Sequence, residues 1–169
     1  MRYANILYND VQNTDGLSLT FYTQGCPHHC YGCFQPQTWD FNGGFELDEA
    51  KINEIEYCLR NYKYDYLCLL GGEPLTNLKE SQFMIDLCKK YQPNIKVWCY
   101  TGFLFEEIKT IKILNDIDVL IDGKFEKENY NATLKWRGSS NQKCYVKENR
   151  VWQASIQMHF LIFLTDFMW

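Results

Sequence analysis

The sequence predicts an α/β protein built on a mainly parallel sheet. Short apolar runs of strand length alternate with segments of helical period, an order that makes right-handed βαβ units. Four of those runs each close on glycine, proline, cysteine or charged residues, so the unusual residues of the chain fall at strand ends. The length of 169 residues suits one continuous core.

Residues 17–23, "LSLTFYT", alternate Leu17, Leu19 and Phe21 with Ser18, Thr20 and Tyr22, the period of a half-buried strand. The strand runs straight into a loop holding three cysteines. Residues 48–61 follow as a helix, with Ile52, Ile55, Cys58 and Leu59 on one face and acids in the first turn. The run 66–70, "YLCLL", is a buried strand stopped by "GGEP". In 81–91, Met84, Leu87, Cys88 and Tyr91 recur at the spacing of a second helix. "IKVWCY" (95–100) is a third strand, closed by Thr101 and Gly102. Residues 103–116 carry Leu104, Ile108 and Ile111 on one stripe and read as a third helix. "IDVLI" (117–121) is a fourth strand, closed by "DGK". Beyond residue 125 the pattern weakens: "ENYNATLKWRGSSNQ" reads as loop, and "KCYVKENRVWQ" leaves room for one more strand.

In a parallel sheet the carboxyl ends of the strands share one edge, and ligands bind there. The cysteine loop, Gly71-Gly72-Glu73-Pro74, Tyr100-Thr101-Gly102 and Asp122-Gly123-Lys124 are therefore predicted to converge.

Composition narrows the function. Aromatics make up 17% of the chain, which suits large side chains in a compact core or on a protein-facing surface. The net charge of −4 and the lack of a long basic run count against a nucleic-acid groove. No run approaches the roughly 20 apolar residues that span a bilayer. "MHFLIFL" is far too short, so no membrane association is expected. "MRYANILYNDVQ" lacks the apolar segment of a signal peptide, so a cytoplasmic location is expected. There, a tight cysteine cluster is metal-binding or catalytic rather than cross-linked.

That cluster is "TQGCPHHCYGCFQ" (23–35), with Cys26, Cys30 and Cys33. Thiolates hold iron–sulfur clusters, and a cube of four irons takes one ligand per iron. Three cysteines leave one iron without a protein ligand, the open position of a catalytic metal site. A zinc-stabilised binding module is the rival, with His28 or His29 completing a tetrahedron. Such sites usually draw ligand pairs from two separate segments, and four ligands within this short loop would strain it. Three ordinary core cysteines are a third reading, opposed by Gly25, Pro27 and Gly32. The histidines also read as polar loop residues covering a cluster or meeting solvent. Cys58 and Cys88 lie on helix stripes and Cys68 and Cys99 sit mid-strand, so they read as core; Cys144 has no assignment. "GGEP" alone is also a plain strand-ending turn, and Asp122 with Lys124 a solvated pair.

The C-x₃-C-x₂-C spacing after a first strand, with "GGEP" one strand later, resembles the radical S-adenosylmethionine superfamily. "GCPHHCYGCFQPQTW", "VWCYTGF", "VLIDGKF" and "WRGSSNQ" make about residues 13–142 similar to the glycyl-radical-enzyme activating family that serves anaerobic ribonucleoside-triphosphate reductase. The resemblance implies an incomplete (β/α) barrel of radical SAM type, a curved, mainly parallel sheet with outer helices. It implies one [4Fe-4S] cluster on Cys26, Cys30 and Cys33, with the amino and carboxylate groups of S-adenosylmethionine on the free iron. One electron would cleave the sulfonium, and the 5′-deoxyadenosyl radical would take hydrogen from a glycine of the reductase's large catalytic subunit. A small reductant protein would donate the electron.

By the same resemblance, Gly71 and Gly72 would let the backbone approach the methionine moiety. Glu73 would accept from the ammonium and Pro74 would fix the turn. Gly32 and Phe34 would line the adenine side, and Thr101, Asp122 and Lys124 would reach ribose or carboxylate. Arg137 would reach the carboxylate or the partner, and Trp39 and Trp136 would be core or interface aromatics. "WRGSSNQ" sets the chain apart from pyruvate formate-lyase activases and from small-molecule enzymes of the same chemistry. Residues 1–153 would form the radical SAM domain. The tail 154–169 has no counterpart there, and would be an edge strand, a partner contact or an assembly surface.

Overall fold

The structure, a computed structural model, describes residues 1–155; "MHFLIFL" and nearly all of the expected tail lie outside the described residues. The strands are β1 (Arg2–Asp10), β2 (Ser18–Thr23), β3 (Phe45–Glu46), β4 (Tyr66–Gly71), β5 (Lys96–Tyr100), β6 (Val119–Asp122), β7 (Lys143–Glu148) and β8 (Val151–Ser155). They form one sheet in the order β3-β1-β2-β4-β5-β6-β7-β8. The four strands expected from periodicity are β2, β4, β5 and β6, and they pair in parallel in that order. Antiparallel strands extend the sheet on both sides, β1 and β3 beside β2, and β7 and β8 beside β6. The architecture is α/β, a mixed sheet with a parallel centre.

The parallel strands are buried on both faces, as crossover connections require. Leu19, Phe21, Leu67, Leu69, Val97, Cys99 and Leu120 face the larger core. Helices α1 (Glu49–Asn61) and α2 (Leu78–Tyr91) cover that face with Ile55, Leu59, Met84, Ile85, Leu87 and Cys88. Asp48 starts α1 by accepting from Lys51 N–H at 2.8 Å. The opposite face carries a smaller cluster of Tyr66, Cys68, Trp98, Val119, Ile121 and Cys144. Trp136 packs on it edge-to-face with Trp98, ring centroids 5.1 Å apart. Cys68, Cys88 and Cys99 are fully buried core residues, and Cys144 joins them from β7, where burial pushes its thiol up to about 11.

Three elements differ from expectation. Residues 103–116 are not one helix: α3 (Phe105–Ile108) is a single turn and Lys112–Asp116 is a 3-10 segment. Between them Ile111 is extended, at φ −74° and ψ 138°, in a stretch where β-branched Thr110, Ile111 and Ile113 resist helix. The fragments bury Ile108, Ile113 and Leu114, while of the expected stripe Leu104 is exposed and Ile111 only partly buried. The second difference is β1, which the sequence did not reveal. Its register against β2 shifts between Tyr3 and Asn5 and again between Leu7 and Asp10, and it includes Ala4, Asn5 and Asn9, residue types that strands disfavour. Third, "KCYVKENRVWQ" folds as two paired strands, turning at Asn149 and Arg150, both at positive φ; β8 runs on to Ser155.

Candidate metal centre

The carboxyl ends of β2, β4, β5 and β6 do converge, around a cavity of about 430 Å³. Its wall includes Cys26, Cys30, Cys33, Phe34, Gly71, Gly72, Glu73, Thr101 and Lys124. Two expected residues stand outside that wall. Gly32 lies against the aliphatic stem of Lys127. Asp122 is 2% exposed, and its carboxylate accepts from Phe105 N–H at 2.8 Å and Lys143 N–H at 3.1 Å, binding the start of α3 and of β7 to the end of β6.

The cysteine loop is fastened at its base. Gly25 N–H donates to Thr38 O at 2.8 Å and Cys26 N–H to Trp39 O at 3.2 Å, while the Gln24 side chain donates to the carbonyls of Gln37 and Asp40. A second seam joins the loop to the turn after β4. Gly72 N–H donates to Thr23 O and Glu73 N–H to Gly25 O, both at 2.9 Å. The backbones run so close that a Cβ on Gly72 would stand 2.5 Å from Gly25 O. This is why the turn needs glycine there. The outer arm of the loop rests on the segment after β6: Phe34 packs on Phe125 at 5.0 Å, and Lys127 lies over the Tyr31 ring.

Burial pushes the Cys26 and Cys30 thiols above their ordinary value. The N–H groups of His28 and His29 oppose this at Cys26, and that of Phe125 at Cys30. Cys33 Sγ accepts from Gln35 N–H at 3.4 Å. Donors of this kind stabilise thiolate sulfur in a cluster. Among the described residues, no three His, Cys, Asp or Glu side chains close on one point as a single ion requires. A cube asks for a different arrangement, because each thiolate holds a different iron around a shared space. The three cysteines on one cavity wall fit that demand. His28 Nε2 lies 2.8 Å from Glu73 Oε2, which leaves Nδ1 as its only possible metal-binding nitrogen, and among the described residues His28 joins no group of three such side chains around one point; His29 packs beside Trp39, which is half-buried at the foot of the loop.

Tyr100, expected at this edge, is joined on the wall by residues that the sequence did not single out for it. Tyr22, Leu70 and Tyr100 line it from the sheet face, and Gln12 and Asn13 from the loop after β1. Tyr100 Oη donates to Asn13 O at 2.8 Å, so the two sides are tied together. "WRGSSNQ" is largely an internal knot: Gln142 Oε1 accepts from Gly138 and Ser139 N–H, Gln142 Nε2 donates to Gly123 O, and Asn141 Nδ2 donates to Lys124 O. Within it, Arg137 donates to Gln142 O at 3.0 Å and still faces the cavity. Among the described residues no helix is long and apolar enough to cross a membrane.

Residues 12–145 match the family described as 4Fe-4S single cluster domain. The relative from Enterobacteria phage T4, named anaerobic ribonucleoside-triphosphate reductase-activating protein, is 34% identical over 155 residues, 90% of this chain and 99% of its own. The protein of the same name from Pasteurella multocida is 36% identical over 153 residues, 86% of this chain and 97% of its own. That from Escherichia coli K12 is 31% identical over 148 residues, 84% and 96% of the two chains.

Proposed function

The chain belongs to the anaerobic ribonucleoside-triphosphate reductase-activating family, and on that premise we propose that it installs a glycyl radical on the large catalytic subunit of that reductase. Cys26, Cys30 and Cys33 hold one [4Fe-4S] cluster, and the amino and carboxylate groups of S-adenosylmethionine take the remaining iron. A cluster held there would supply the single electron that cleaves S-adenosylmethionine to methionine and a 5′-deoxyadenosyl radical, the species that would take a hydrogen atom from a glycine Cα of the partner. The chain's own residues bind, orient and shield. The turn of Gly71 and Gly72 offers backbone polar groups to the methionine end. Lys124 and Arg137 bring positive charge to the wall that meets the carboxylate. Phe34 offers a ring to the adenine side, and Thr101 stands at the strand-end edge nearby.

One observation carries this reading: three thiols and the Gly71–Gly72 turn share one cavity, while Cys58, Cys68, Cys88, Cys99 and Cys144 line no part of it. A fourth protein thiolate is absent where a cosubstrate must bind. We read the sheet as an incomplete (β/α) barrel, supported by helices on one face of its parallel strands and by the face left to the cavity. Residues 1–153 form the radical SAM domain in this reading, and Ala154 and Ser155 complete its edge strand β8. A small reductant protein supplies the electron, in the cytoplasm, where anaerobic metabolism keeps such a cluster intact.

The test is electron paramagnetic resonance on anaerobic mixtures with S-adenosylmethionine, reductant and a candidate large subunit. The reductase subunit gains a glycyl doublet, a pyruvate formate-lyase control gains none, and Cys26→Ala abolishes the signal. A doublet of unchanged size with Cys26→Ala would overturn the assignment.

A further inference from the structure

His28 stands midway between the first two cysteines, yet it is not a solvent-facing loop residue. Its side chain is 9% exposed. The ring meets Phe103 edge-on, centroids 4.6 Å apart, and fills the space a Cβ on Gly102 would occupy, 2.3 Å from His28 Cδ2. Its Nε2 lies 2.8 Å from Oε2 of Glu73, a carboxylate only 1% exposed. An ionised carboxylate offers about four acceptor sites, two on each oxygen. Here the protein fills them. Glu73 Oε1 accepts from Leu75 N–H at 3.0 Å and from Thr101 Oγ1 at 2.8 Å; Oε2 accepts from Gly102 N–H at 2.8 Å and faces the ring nitrogen. The carboxylate selects the tautomer with the proton on Nε2.

Glu73 is thus a buried hub that joins the turn after β4, the end of β5 and the cysteine loop. Of the four partners of its carboxylate, His28 alone comes from that loop, beside the backbone bond from Glu73 N–H to Gly25 O. Resting on the proposed cluster site, we infer that His28 is a positioning residue: it docks the cysteine loop onto the buried Glu73 carboxylate and so holds the Cys26 and Cys30 sulfurs in place for the cluster. The same saturation gives Glu73 a role different from that of a ligand acceptor. Partners that orient a metal ligand without touching the metal commonly change metal retention by about 10- to 100-fold.

The experiment compares anaerobically reconstituted wild type with His28→Gln, His28→Asn and His28→Leu. Iron and sulfide are counted after desalting, and iron loss to a chelator is timed by absorbance. Glutamine places an amide N–H near the position of Nε2, asparagine is too short to reach, and leucine cannot donate. The expected result is near-wild-type retention in His28→Gln, and iron loss about tenfold faster in His28→Asn and His28→Leu. Equal loss rates in all four proteins overturn the inference. So does loss in His28→Gln as fast as in His28→Leu, since ring packing and not the hydrogen bond would then be responsible. Wild type that takes up no iron overturns the cluster reading itself, and is told apart by its iron count alone.

Discussion

At Gly72 two backbones meet with no room for a side chain. The neighbouring atoms are the carbonyl oxygens of Gly25 and Thr23, which cannot swing aside as the end of a side chain could. Gly72→Ala is therefore expected to cost about 1–3 kcal/mol, as overpacking of a rigid site does. It should also push the cysteine loop off the β4 turn, so thermal midpoint and iron content fall together. An unchanged midpoint would show that the seam yields without cost. The cysteines were legible in the sequence because a metal centre is written in residue type and spacing. Glu73 was legible only as part of a turn: its partner His28 lies 45 positions away, and no local pattern announces a hydrogen bond of that reach. Asp122 was a candidate ligand contact by resemblance, and its charge at a strand end read otherwise as a solvated pair. Its two oxygens instead hold the amides of Phe105 and Lys143.

At the scale of elements, the parallel strands were readable because burial on both faces leaves a short apolar run with a sharp stop. Irregular or short elements were not. β1 carries the strand-poor residues Ala4, Asn5 and Asn9, and the expected third helix breaks where β-branched residues gather. Gln12 and Asn13 reach the cavity only because the loop after β1 is held by Asp10. Asp10 accepts from Thr20 Oγ1, Asn13 Nδ2 and Gln12 N–H. Burial raises its carboxyl, but these donors outweigh burial and hold it below the ordinary value of 3.8. A depressed carboxyl contributes stability that is present above the unfolded value and is lost as pH falls through the lower folded value. Asp10→Asn should therefore melt below wild type at neutral pH, by about 1–3 kcal/mol for a buried hydrogen-bonding group disrupted. The gap should narrow as pH falls below 3.8. A gap that stays constant from neutral pH to acid would contradict this account of the loop.

Over the whole molecule, the order of strands and helices along the chain places four special segments at one sheet edge, and that edge is where the cavity lies. What order could not supply was the wall facing that edge. The segment after β6 swings back over the sheet, Trp136 onto Trp98 and Phe125 onto Phe34, through contacts between residues far apart in the chain. The result is a small protein with its reactive groups at an open rim, suited to a macromolecular substrate that brings a glycine to the mouth. The relatives' shared name points to the same kind of partner. All of this depends on an iron left for the cosubstrate to ligate. The most direct test is the electron paramagnetic resonance spectrum of the reduced, anaerobically reconstituted protein, recorded before and after adding S-adenosylmethionine. The account predicts a [4Fe-4S] signal whose g-values shift on addition, because the cosubstrate joins the cluster. A cluster signal indifferent to S-adenosylmethionine, or protein holding zinc and no iron, would contradict it.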